Sequence, residues 1–303
     1  MKISIIGGAG TLGSATAFRL GQNEQVQEIC LLDINDMLVT NHIMDFQNTY
    51  PEKKIYKGNY KDLAESQIII ITAGVPNRND VTSRNEFLEG NISLFREFGK
   101  QIKRYCESAF ILTVSNPVDA LNYFLYREFK FKKSQLLGYT LNDSRRFEHS
   151  IRTIMKIDSA EKVFSPVIGE HGRTQVPLFS QVRINDEKVS INSQVQQAVR
   201  EMVSNWFTEF NGLNIDRTTG WATAAGIGKI VDGITNNEKM KTIGSAILDG
   251  EYGIFEISMG VPVVVDQNGT VSIPEWQLTN EEKLALQWSA DTIKQTIHPF
   301  VSS

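Results

Sequence analysis

The sequence predicts an α/β protein, a doubly wound parallel sheet followed by a mixed α+β half. Three observations carry this. The first half alternates short, continuously apolar stretches with longer helical patterns. A glycine-rich turn closes the first apolar stretch. The second half loses the alternation and carries a polar turn, Asp266-Gln267-Asn268-Gly269, between two β-branched runs, the pattern of a hairpin.

Each element can be justified in order. Strands are expected near residues 2–7, 28–33, 68–73 and 110–114, with a weaker one near 54–58. Helices are expected near 11–22, 35–46, 84–107 and 117–129. Short, wholly apolar strands separated by helices fit a parallel sheet covered on both faces. Ligands of such sheets sit beyond the carboxyl ends of the strands. The glycine turn, residues 73–76 and residues 115–117 all fall there. After residue 140 come a helix near 143–156, strand-like stretches near 161–168 and 177–185, and helices near 193–210 and 219–236. A hairpin near 261–265 and 270–273 and a helix near 279–296 complete the chain. The reading divides it into a doubly wound domain, 1–140, and a mixed α+β domain, 141–303.

Residues 3–13 run from an apolar strand into a Gly-x-Gly-x-x-Gly turn made by Gly8, Gly10 and Gly13. Gly8 permits the tight turn, Gly10 lets backbone approach a pyrophosphate, and Gly13 lets the helix pack closely on the strand. The helix that opens at Thr11 and Leu12 offers free N–H groups to phosphates. Twenty positions past Gly13, Asp33 ends the second apolar strand, with Ile34 after it. An acid there accepts hydrogen bonds from ribose hydroxyls and repels a 2′-phosphate, so the pattern points to a Rossmann domain binding NAD. Taken singly, Asp33 could also be a solvated carboxylate at a strand end.

Composition excludes several classes. The formal net charge is −4, without the basic face of a nucleic-acid binder. Arg127, Lys130, Lys132 and Lys133 interleave with Phe129 and Phe131, which reads as a helix end with its aromatics turned to the core. Cys30 and Cys106 have no metal-ligand spacing, and no metal site is expected. No apolar run nears the roughly 18 residues of a membrane span. With a strand already at Lys2, no signal peptide is expected, and the protein is expected to be cytoplasmic.

Several further segments stand in a telling order. They are Thr72-Ala73-Gly74-Val75-Pro76, Arg84 with Asn91 after it, Ser115-Asn116-Pro117-Val118-Asp119, Asp143-Ser144-Arg145-Arg146-Phe147, Gly169-Glu170-His171-Gly172 and Gly260-Val261-Pro262. With the glycine turn, this set resembles the lactate/malate dehydrogenase family over essentially the whole chain. The resemblance implies an NAD-dependent oxidoreductase acting on a small 2-hydroxy acid or 2-oxo acid, assembled as a homodimer or homotetramer. His42 and the helix around it are candidates for such a contact.

The resemblance also assigns roles. His171 matches the catalytic proton donor and acceptor, a task suited to imidazole. Asp143 matches the carboxylate that orients it, although the position also permits a helix N-cap. Arg146 matches the arginine that grips the substrate carboxylate with two parallel hydrogen bonds. Arg84 matches a loop arginine that polarises the substrate carbonyl, and the polar residues 77–83 before it read as a lid; alone, it reads as an exposed first-turn helix residue. Asn116 matches a contact to nicotinamide ribose and substrate, or simply a turn residue before Pro117. Thr72, Ala73, Gly74, Asn91 and Ser115 fall with the cofactor loops.

Substrate choice stays open at this level. In the family, a lid residue pairs with a second carboxylate when it is Arg and suits pyruvate when it is Gln. Counting forward from Pro76 gives Asn77; counting backward from Arg84 gives Arg78. Pro76 and the small Ala222 lean toward malate. Arg145, Asn142 and Arg173 depart from the family pattern. An NAD-binding sensor without turnover, or a scaffold that binds no NAD, are the alternatives from other classes; the intact motifs disfavour both.

Overall fold

The computed structural model describes residues 1–75, 84–213, 215 and 219–301. Six parallel strands form the first part of one sheet: β1 (Lys2–Ile6), β2 (Glu28–Leu32), β3 (Lys54–Lys57), β4 (Ile68–Ile71), β5 (Phe110–Thr113) and β6 (Leu136–Gly138). Their spatial order is β3-β2-β1-β4-β5-β6. The helices between them are α1 (Thr11–Gly21), α2 (Asp36–Thr49), α3 (Arg84–Tyr105) and α4 (Val118–Phe129).

The apolar strands are buried on both faces, as their composition demands. In β4, Ile68 and Ile70 join one core with Leu20, Val39 and Phe46, while Ile69 and Ile71 join another with Phe95, Leu121 and Phe124. Burying such a side chain contributes about 1.5–3 kcal/mol, so four consecutive isoleucines strongly set this strand in the sheet centre. At the end of α4, Lys130 is left-handed (φ 54°), and Phe131 is buried against Phe129. The aromatics of that basic stretch do face the core. Cys30 and Cys106 are buried and free, and burial pushes the Cys30 thiol up to about 11.

The second part holds α5 (Leu141–Met155), the short strands β7 (Val163–Phe164), β8 (Val167–Ile168), β9 (Val176–Pro177), β10 (Arg183–Ile184) and β11 (Glu187–Lys188), then α6 (Ser193–Gly212) and α7 (Trp221–Thr235). A long meander follows, β12 (Met240–Asp249), β13 (Phe255–Asp266) and β14 (Gly269–Ser272), and then α8 (Asn280–Ile297). Three features differ from the sequence expectation. Strands β6, β11 and β12 were not anticipated, and β13 begins at Phe255 rather than near 261. The hairpin does not stand apart but extends the parallel sheet to nine strands in the order β14-β13-β12-β6-β5-β4-β1-β2-β3. The junction pairs Ser245 of β12 with Gly138 of β6, and a Cβ at Gly138 would lie 2.6 Å from that of Ser245. The tip loop is Gln267-Asn268, with Gly269 starting β14 at φ +94°.

Candidate active site

The cofactor side is built on the loops at the carboxyl ends of β1, β2, β4 and β5. The left-handed residue of the glycine turn is Gly7 (φ +93°), not Gly8. Its N–H and that of Gly8 donate to Leu32 O at 2.8 and 3.0 Å. Gly8 owes its place to packing, since a Cβ there would sit 2.9 Å from Leu31 Cβ. A Cβ at Gly13 would lie 2.1 Å from Gly7 O, so only glycine lets α1 approach this closely. At Gly10 nothing stands within 3.4 Å of such a Cβ; Gly7 O is nearest, at 3.5 Å. The open approach expected for phosphates is therefore present. Gly10 is also the N-cap of α1 and supplies no side-chain cap, which leaves the helix start at Thr11 and Leu12 to a ligand. These residues fit a dinucleotide.

Asp33 helps hold this turn. Its Oδ2 accepts from Ala9 N at 3.0 Å and its Oδ1 from Asn35 N at 3.0 Å. Each oxygen retains a second lone pair for a ribose hydroxyl. Ile34 is fully exposed beside it. Thr72 Oγ1 donates to Ile6 O and Gly7 O, both at 3.1 Å. Asn91 is completely buried: its Oδ1 accepts from Val75 N at 2.8 Å and its Nδ2 donates to Asn116 O at 2.9 Å. Ser115 Oγ donates to Ala73 O at 2.6 Å. Asn91 and Ser115 thus lace the loops at Ala73-Gly74 and Asn116 together.

The candidate substrate side is built on α5 and the loop after β8. Thr140, not Asp143, is the N-cap of α5; Asp143 lies in its first turn. The Asp143 carboxylate splits its oxygens: Oδ2 meets His171 Nδ1 at 2.5 Å, and Oδ1 accepts from Arg146 at 3.1 Å. Burial alone lowers the proton affinity of His171, but the Asp143 and Asp119 carboxylates outweigh it and raise the imidazole above its ordinary value. Asp143 thus engages Nδ1, the ring nitrogen on its side, and not Nε2. Arg146 lies over the Trp206 ring at 4.2 Å, while Arg145 turns to Glu148 at 2.8 Å. The neighbouring arginines therefore divide, and Arg146 is the one beside His171. Arg173 is exposed.

Beside Arg146 lies a cavity of about 140 Å³, lined among others by Asn142, His149, Trp206, Thr219 and Ala222. Asn142 is buried and fully knit, accepting from Tyr139 OH at 3.1 Å and donating to Thr223 Oγ1 at 2.7 Å. A larger cleft between Tyr252, Trp276 and Leu286 includes none of these residues. Asn77 and Arg78 lie outside the described residues, as does the side chain of Arg84, whose backbone begins α3. Sequence reasoning missed Gly7, Trp206 and the role of Asp119; for Asp119 the signal was a carboxylate set in the apolar start of α4, and for Trp206 there was none. No cluster of metal-ligating side chains exists among the described residues.

The comparisons agree with this architecture. Residues 1–138 match the family model "lactate/malate dehydrogenase, NAD binding domain", and residues 140–303 match "lactate/malate dehydrogenase, alpha/beta C-terminal domain". An L-lactate dehydrogenase of Acetivibrio thermocellus is 32% identical over 309 residues, covering 98% of this chain and 96% of that protein. A malate dehydrogenase of Halobacterium salinarum is 31% identical over 310 residues, covering 96% and 97%. The solved lactate dehydrogenase of Cryptosporidium parvum, complexed with lactic acid and NAD, superimposes with a TM-score of 0.89 at 26% identity over 98% of this chain and 97% of that one.

Proposed function

Since the chain belongs to the lactate/malate dehydrogenase family and its cofactor is NAD, we propose that it interconverts an L-2-hydroxy acid and its 2-oxo acid, with malate and oxaloacetate as the favoured pair. The observation that carries this reading is the single carboxylate of Asp143 shared between His171 and Arg146. It brings a protonated imidazole and a carboxylate-binding guanidinium side by side.

When bound, the nicotinamide supplies the hydride for reduction and takes it up in the reverse direction. His171 gives the proton from Nε2 to the substrate oxygen, while Asp143 fixes the ring and stabilises its charge. Arg146 grips the substrate carboxylate; the guanidinium has five N–H donors, and one to Asp143 leaves enough for a bidentate grip. Arg84 polarises the carbonyl oxygen as charge develops there.

The relatives divide between lactate and malate. Malate is favoured by the small Ala222 in the cavity beside Arg146, which leaves room for a second carboxylate. In this reading Arg78 supplies the second carboxylate contact and Asn77 does not. The domain division at residue 140, a cytoplasmic location and a homodimer or homotetramer belong to the same proposal; exposed Met37 and Met44 on α2, the helix of His42, support self-association. No described helix is long and apolar enough to cross a membrane.

The test is NADH oxidation, followed by absorbance, with oxaloacetate and pyruvate side by side and NADPH as control. Oxaloacetate is expected to be the better substrate by at least about tenfold, a margin one charge-assisted contact supplies. A preference for pyruvate refutes the malate reading. Tight NADH binding without turnover of any 2-oxo acid refutes the enzyme reading and supports a sensor.

A further inference from the structure

One buried acid beside the site has no part in the mechanism above. Asp119, on α4, is almost wholly shielded from solvent. Its Oδ2 accepts from the backbone N–H of His171 at 2.7 Å, and its Oδ1 accepts from Ser245 Oγ of β12 at 2.5 Å. Ser245 in turn bonds Ser258 Oγ at 2.8 Å, which accepts from Asn122 Nδ2 at 2.9 Å. The acid thus ends a buried polar chain reaching from β13 to the histidine.

Two donors converge on two separate oxygens. A carboxylate satisfies both, whereas an amide offers one oxygen and a donor. A buried carboxylate is costly unless hydrogen-bonded and paired with opposite charge, and the charge nearest at hand is that of His171. Asp119 also lies three residues after Asn116, on the helix that leads away from the cofactor loops. It therefore ties the backbone of the proton donor to the element beside the nicotinamide site.

We propose that Asp119 is a positioning residue for His171, anchoring its backbone against the cofactor domain while its negative charge favours the protonated ring. The inference rests on the reading of His171 as the proton donor. The charges acting on the ring come from α5 (Asp143 and Arg146) and from α4 (Asp119). Glu170 of the histidine loop acts on Asp119, and the facing strands contribute the neutral Ser245 and Ser258. Burial pushes the Asp119 carboxyl up to about 7, against the pull of Ser245 and the His171 N–H.

The experiment compares the parent protein with Asp119→Asn, each loaded with NADH. Three readouts are taken: NADH affinity, the pH profile of 2-oxo acid reduction, and the imidazole NMR titration of His171, assigned among the four histidines with His171→Asn. NADH affinity is expected to stay within about threefold. The value of kcat is expected to fall about 10- to 100-fold, as displacement of a catalytic group by a fraction of an ångström does. The high-pH loss of reduction and the His171 titration both move to lower pH. Profiles and titrations that superimpose on the parent overturn the proposal. If Asp119→Asn does not fold, Ser245→Ala takes its place; removing that donor makes the Asp119 carboxylate harder to ionise, and the same downward movement is expected, with superposition again overturning the idea. Retained turnover in His171→Asn sinks the proton-donor reading instead, while the NMR titration still reads the coupling to Asp119.

Discussion

Replacing Asp143 by Asn is the sharpest probe of the site, because one carboxylate serves two cations. Asp143 is buried and its partners His171 and Arg146 are mostly so. An asparagine presents one oxygen and one amide donor, so it can serve Arg146 or His171 but not both. Proton transfer by a correctly positioned imidazole is worth about 10²- to 10⁴-fold, and each tenfold corresponds to about 1.36 kcal/mol of barrier. The expected loss in kcat/KM for 2-oxo acid reduction is therefore about 10²- to 10⁴-fold. The sign of the pH effect follows from the folded protein. His171 is raised above its ordinary value because Asp143 and Asp119 outweigh burial. Reduction needs the imidazolium, so it is intact below the folded value and lost as pH rises through it. Without Asp143 burial regains weight, and the loss moves to lower pH. The assay is initial-rate NADH oxidation from pH 5 to 9 at subsaturating 2-oxo acid. A variant within threefold of the parent, or one with an unmoved profile, would refute the shared-carboxylate mechanism.

Two further outcomes are expected. Arg146→Lys keeps the charge but loses the planar fork and its fit over Trp206, so KM for the 2-oxo acid should rise about 10- to 100-fold with NADH binding unaltered; an unchanged KM would assign the substrate carboxylate elsewhere. Gly13→Ala places a methyl 2.1 Å from Gly7 O, and the overpacking, about 1–3 kcal/mol, should weaken NADH binding about tenfold or lower Tm by several degrees, read by fluorescence titration and calorimetry; neither change appearing would mean that the turn yields without strain.

The parallel sheet was legible in the sequence because its physics is local. Strands buried on both faces must be apolar at every position, so the run at 68–71 announces itself, and a helix packed tightly on its preceding turn needs a glycine where the backbones meet, as at Gly13. The meander was less legible. Residues 240–249 include Lys241, Thr242, Gly244 and Ser245, with no clean alternation, because the strand crosses from solvent into a core where Gly138 and Asp119 are its neighbours. Nor could spacing tell Gly7 from Gly8, since which glycine turns left-handed depends on how Leu31 and Leu32 pack against the loop.

By itself the sequence determined the kind of protein this is: the Rossmann half, the NAD cofactor expected from its glycine turn, and the family through ordered motifs that need no contact map to be read. Tertiary structure alone decided how those motifs become one site. It set Arg146 on Asp143 and Arg145 on Glu148, made Asp143 a bridge rather than a cap, and seated Asp119 behind His171. The physical reason is range. Turn chemistry and strand burial act between residues close in the chain, whereas the proton affinity of His171 is set by carboxylates 28 and 52 positions away that only folding brings within hydrogen-bond distance.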